Sequence, residues 1–160
     1  MIFCLSIMAY AQTPQDRATE LKKQAQSSLN QKDYIKARYL FKKAYEAFAS
    51  RENYPQAIEC GVQANALYVR ENFYKEGFEL CRDMEQLLWT GEQNKKKVFY
   101  DLRFLINKER LQMYTALKNP AQAKTQLDKL EEMANLAKND SLTEVLLYTK
   151  VNYYYTFNQS

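Results

Sequence analysis

The side chains able to do covalent or acid–base chemistry in this chain lack the partners that such chemistry needs. Its 160 residues include no histidine, which removes imidazole relays, histidine-based triads and histidine metal sites. Three cysteines, Cys4, Cys60 and Cys81, therefore have no imidazole base or co-ligand. Neighbouring carboxylates occur at Glu131-Glu132 and at Asp83 and Glu85. Their spacing puts them on polar helix faces, where solvation is the ordinary role, and Glu–Lys pairs there add only about 0.2–0.5 kcal/mol each. Gly61, Gly77 and Gly91 stand too far apart to make a phosphate-binding loop. Lys95-Lys96-Lys97 is a short cationic run near a predicted helix start, where cations are mildly unfavourable to the helix dipole. These residues read as a non-catalytic chain with no metal site and no cofactor.

Charge is informative only locally. From Asp16 to Glu52 there are nine Lys/Arg against five Asp/Glu, and the rest of the chain balances, so the whole net +4 sits in the first predicted hairpin. Such a patch could meet an acidic protein, anionic lipid or nucleic acid. Its basic residues alternate with acids and carry no nucleic-acid reading motif, so solvation is the expected role.

Whatever this chain binds must be positioned by helices. Only 3 Gly and 3 Pro in a chain 46% hydrophobic and 14% aromatic are too few turn formers for an all-β protein, and too much apolar surface for disorder. The organising stretch is 31–49, where Tyr34, Ala37, Phe41, Ala44 and Phe48 recur in steps of three and four. That spacing gathers them on one helix face and leaves Lys36, Arg38, Lys42, Lys43 and Glu46 largely outside it. Alanine at 37 and 44 leaves room for a neighbouring backbone, so the helix expects close antiparallel partners.

The pattern Asp33-Tyr34-x-x-Ala37-x-x-x-Phe41-x-x-Ala44, with Ala25 on a preceding helix, resembles the tetratricopeptide repeat (TPR). A second copy begins at Asn72-Phe73-Tyr74, 40 residues on, with Gly77 and Cys81 in the places of Ala37 and Phe41. A third, Asn119-Pro120 through Ala123, Leu127 and Leu130, follows 46 residues later, with Pro120 in the first helical turn. Both periods exceed the usual ~34 residues, so the repeats are elongated. The resemblance covers most of 15–157 and implies an all-α fold: a right-handed α-solenoid of about three and a half antiparallel hairpins.

The predicted helices are 15–30, 34–50, 54–70, 74–88, 94–118, 120–138 and 142–157. Thr90-Gly91 is the expected stop of the fourth, since glycine is the usual residue past a helix C-terminus. Val98, Leu102, Leu105, Ile106, Met113 and Leu117 form the expected stripe of the fifth. Asn139-Asp140-Ser141 offers an N-cap before the seventh, with Glu144 three residues beyond Ser141 as in a capping box. That last helix is apolar nearly all round, through Leu146, Leu147, Val151, Tyr153, Tyr154, Tyr155 and Phe157, and so expects cover on several sides. A missing neighbour in a longer protein is one explanation. An aromatic interface at Tyr153, Tyr154, Tyr155 and Phe157, including one used for homo-oligomerisation, is the other.

Residues 1–11 read as a truncated secretory signal. An apolar run from Ile2 to Met8 precedes the small-x-small pattern Ala9-Tyr10-Ala11, without a basic leader segment; an ordinary buried helix end is the alternative. Residues 12–160 then form the repeat domain, with Cys60 and Cys81 its only thiols. They fall on the two helices of the second hairpin, where a disulfide needs both side chains turned inward and buried free thiols are the expected state.

The resemblance also directs attention to the concave groove, lined by the first helix of each hairpin. Some TPR proteins clamp a peptide carboxylate there with lysine, asparagine and arginine. Lys22 matches the first lysine of that clamp, but Gln26 and Gln63 stand where asparagines are expected, and Leu105 and Glu109 replace the last lysine and arginine. The remaining groove candidates are Lys22, Gln26, Gln63, Arg70, Lys108 and Gln112. The resemblance extends to the periplasmic N-terminal region of Bacteroidota-type regulators and sensor kinases. It implies an exported module that binds a protein or peptide and not nucleic acid, and meets a membrane only through a segment outside this sequence. A secreted or cytoplasmic scaffold that oligomerises through its aromatic last helix is the alternative.

Overall fold

The computed structural model describes residues 14–158, with side chains from Arg17 onwards. The candidate signal at 1–11 lies outside the described residues. Seven helices and no strand are found among them: α1 (Pro14–Asn30), α2 (Tyr34–Ala49), α3 (Tyr54–Arg70), α4 (Tyr74–Lys95), α5 (Tyr100–Ala116), α6 (Pro120–Ala137) and α7 (Asp140–Phe157). Each helix packs on its sequence neighbours, α3 also meets α5, and α5 meets α7.

The stripe on α2 behaves as its spacing dictates. Ala37, Phe41, Ala44 and Phe48 are buried, while Ile35 and Tyr39 on the other face are 69% and 61% exposed. Two apolar cores result. The larger joins α1 to α5 and includes Ala25, Phe41, Ile58, Met84 and Leu88. The smaller joins α5, α6 and α7 through Phe104, Leu111, Leu127, Leu130 and Leu146. Helix α5 serves both, turning Leu102, Ile106 and Met113 to the first and Phe104 and Leu111 to the second.

One turn recurs between helices. Lys32, Glu52, Asn72 and Lys118 take left-handed φ values of 61°, 55°, 62° and 54°. The next residue's N–H reaches back five residues: Asp33 to the Ser28 carbonyl, Asn53 to Phe48, Phe73 to Tyr68 and Asn119 to Tyr114, at 2.9–3.1 Å. This is the Schellman arrangement, which satisfies the last carbonyls of each helix. Asp33, Asn53 and Asn119 then cap the following helix by accepting from the backbone N–H three residues on. Lysine and glutamate are poor residues for left-handed backbone, which glycine occupies without cost. Lys32→Gly is therefore expected to raise stability by about 0.5–1 kcal/mol, a rise of roughly 1–4 °C in melting temperature followed by circular dichroism. A fall would contradict the turn geometry.

The structure corrects the sequence reading at two boundaries. Helix α4 does not stop at Thr90-Gly91 but runs to Lys95, where left-handed Lys96 caps it. Gly91 is inside the helix because the Tyr54 ring occupies the space a side chain would need: a methyl there would lie 2.5–2.9 Å from that ring. Helix α5 begins at Tyr100 rather than 94, so Val98 lies in the turn and is exposed, as is Leu117 at the far end. Of the three N-cap candidates before α7, Asn139 is the one that caps it, its side chain accepting from the Ser141 N–H at 3.0 Å. The long α4 also accounts for the repeat spacing. Left-handed residues fall 20 apart at 32, 52 and 72, then 24 and 22 apart at 96 and 118, which converts a 40-residue period into one of 46.

The α4–α5 turn is held by one buried carboxylate. Glu92 accepts from the Phe99 N–H at 2.9 Å and the Arg103 Nε at 2.7 Å, and its second oxygen pairs with the other arm of Arg103. The Arg103 guanidinium hydrogen-bonded to it holds the Glu92 carboxyl below the usual range. Arg38 does comparable work between α2 and the α3–α4 turn: it pairs with Glu71 and lies 4.9 Å and 5.1 Å from the ring centres of Tyr68 and Phe73.

Candidate partner-binding surfaces

The six groove candidates separate into two groups. On α1 and α3 they are mostly engaged within the chain. Lys22 donates to Gln56 at 2.8 Å and pairs with Glu59 at 2.7 Å, tying α1 to α3. Gln26 bonds Asn30 along its own helix at 3.1 Å. The Arg70 guanidinium lies 4.0 Å over the Tyr34 ring, a cation–π contact between α3 and α2. Gln63 is exposed on α3.

Lys108 and Gln112 are placed differently. One turn apart on α5, they line a cleft of about 760 Å³ between α5 and α7. Buried Leu111 lies beside them, and α7 contributes Val145, Tyr148 and Asn152. The wall is mainly apolar with a few polar tips, the composition of a site that accepts an apolar group and orients it by hydrogen bonds. Lys108 and Lys118 line it from α5 and its end, and Glu144 from α7. Tyr148 and Asn152 were missed by sequence reasoning. Their signal is the run 145, 149, 152 and 156, a lateral stripe at steps of four and three with Tyr148 beside it, which the apolar circumference of α7 obscured.

Of the four aromatic candidates on α7, Tyr154 and Tyr155 are exposed and Tyr153 is buried. Tyr153 lies seven residues after Leu146 and so shares its inward stripe. Its hydroxyl donates to the Pro120 carbonyl at 3.4 Å, and its ring centre lies 5.2 Å from that of Tyr154 and 5.0 Å from that of Phe157. Phe157 is half-buried against the smaller core.

A polar pair lies inside the larger core. Asn65 on α3 donates from Nδ2 to the Glu109 carboxyl on α5 at 3.1 Å, and both residues are buried. Burial pushes the Glu109 carboxyl up, against the smaller opposing effects of the Asn65 hydrogen bond and the Lys108 charge. Glu109, one of the departures from the TPR clamp, is therefore unavailable to a ligand in the groove.

Cys60 and Cys81 are buried free thiols, and burial pushes each up to about 12. A thiol so far from ionisation is a poor nucleophile and metal ligand. Among the described residues no group of three or more Cys, Asp or Glu is placed to hold a metal ion. No helix there is long and apolar enough to cross a membrane. No protein-family model matches this chain, and neither a curated protein nor a solved structure does. What stands is an all-helical arrangement of the described residues with a cleft between α5 and α7.

Proposed function

We propose that this chain is a non-catalytic module that binds a protein or peptide partner, an α-solenoid of TPR-like hairpins serving as the extracytoplasmic sensory part of a longer bacterial signalling protein. The observation that carries the binding reading is the α5/α7 cleft, where two groove candidates, Lys108 and Gln112, join Tyr148 and Asn152 around an apolar wall. A peptide side chain seated there meets Leu111 and Val145, while a carboxylate on the same peptide pairs with Lys108. Helix α7 packs mainly on α6 and more sparsely on α5, so an occupant between α5 and α7 would change the angle of α7 and transmit binding along the chain. The solenoid, the export and the signalling role rest on the repeat pattern and on residues 1–11. A cytoplasmic adaptor with the same cleft is the alternative.

The test is to pan a random peptide display library against the whole chain and measure the enriched peptides by fluorescence anisotropy. Lys108→Glu is expected to weaken them at least about tenfold, the scale of one lost charge-assisted contact. Lys22→Glu, whose position is already tied to α3, is expected to change binding little. Enriched peptides that bind Lys108→Glu as tightly as the unaltered chain would refute the cleft as the site.

A further inference from the structure

Helix α7 carries two apolar stripes on opposite sides, and the seven helices cover only one. Leu142, Leu146 and Tyr153 point into the smaller core. At 100° per residue, Val151 lies about 160° round the helix from that stripe. It is 65% exposed, and around it Leu147, Tyr148, Tyr154 and Tyr155 are 60%, 70%, 46% and 69% exposed. We propose that this outward face of α7 is a homodimer interface, packing antiparallel against the same helix of a second copy with Val151 on the two-fold axis. The inference does not rest on the cleft or on its ligand.

The face is nearly palindromic about Val151, as an isologous contact requires. Large side chains stand three and four residues to either side, Tyr148 and Leu147 before, Tyr154 and Tyr155 after. Seven residues out, each end is polar: Glu144 on one side and Asn158 on the other. The small central valine lets the two helices approach closely, while Leu147 packs on the second copy's Tyr155. Charge selects the same direction. Antiparallel pairing sets Glu144 beside the second copy's Asn158, whereas parallel pairing would set the two Glu144 carboxylates together. The nearest cation, Lys150, is turned aside and paired with Glu131 at 2.7 Å, so the centre of the face is neutral.

The area is adequate. Five such side chains expose roughly 600 Å², given about 150–250 Å² for each fully buried aromatic. Two copies together therefore cover at most about 1,200 Å², the lower edge of a specific interface. A dimer of moderate affinity is the expected result.

Light scattering coupled to size exclusion tests it. At about 100 µM, well above a micromolar dissociation constant, the mass should be twice the 18.9 kDa of one chain. Val151→Glu places two like charges at the two-fold and should weaken the dimer at least about 100-fold. Measured well below the dissociation constant, where both proteins are single chains, its circular dichroism melt should match that of the unaltered chain, because Val151 is exposed within one copy. In a Cys4→Ser background, with Cys60 and Cys81 buried, Val151→Cys should give a disulfide-linked dimer on mild oxidation and Glu144→Cys should not. A single-chain mass at that concentration would overturn the proposal. So would a dimer that survives Val151→Glu, or one that cross-links through Glu144→Cys instead.

Discussion

Phe41→Ala should cost about 3–5 kcal/mol, the usual range for deleting a buried phenyl ring. Phe41 is 1% exposed and belongs to the larger core, on a helix that packs against both α1 and α3. Alanine is already the residue at the neighbouring inward positions Ala37 and Ala44, so no large side chain is at hand to refill the space. The loss therefore includes a cavity term as well as lost transfer energy. Against a total stability of about 5–15 kcal/mol, much of the margin disappears. Tyr39→Ala, on the exposed face of the same helix, should stay within about 0.5 kcal/mol. Urea unfolding measured on both variants checks the pair. A cost below about 1 kcal/mol for Phe41→Ala would mean that the stripe is not the centre of the core.

That contrast shows why the helices were legible. A period of three and four is a local property, and it survived into the structure on α2 and, with small residues, at Ala57, Gly61 and Ala64 on α3. Features that depend on tertiary neighbours were not legible. Gly91 resembles a helix stop until the Tyr54 ring is known to lie against it. The left-handed residues Lys32, Glu52, Lys118 and Lys138 carry no turn signal themselves, yet the helix starts that follow them placed those ends within two residues; only the stop at Lys96 was missed. Tyr153, Tyr154 and Tyr155 look alike in sequence, yet steps of 100° bury the first and expose the other two. The site was half legible. Lys108 and Gln112 were candidates by position on α5, but nothing local distinguishes them from Lys22 and Arg70, whose partners on other helices already engage them. The opposing wall of the cleft comes from α7, more than thirty residues along the chain.

Glu92 should be the most sensitive polar residue. Glu92→Ala removes the acceptor of the Phe99 N–H and leaves Arg103 unpaired at the turn where the repeat spacing lengthens. Breaking a buried pair from one side costs about 3–5 kcal/mol; with Arg103 still partly open to solvent, about 2–3 kcal/mol is expected here. Glu92→Gln keeps an acceptor for Phe99 but loses the charge, and should cost about 1–2 kcal/mol. The pH dependence separates this contribution from packing. The Arg103 hydrogen bonds hold the Glu92 carboxyl below its usual range, so the folded state binds this proton less readily than the unfolded chain does. Its contribution is thus fully present above the unfolded value of about 4.3. It fades as pH falls from there through the depressed folded value. Unfolding free energies of the unaltered chain and Glu92→Gln should therefore differ most at pH 6–7 and converge as pH falls through the depressed folded value. A gap of constant size across that range would assign the effect to altered packing. Convergence would show that the charge of one glutamate fixes the joint between α4 and α5, and with it the position of the helix that presents Lys108 and Gln112.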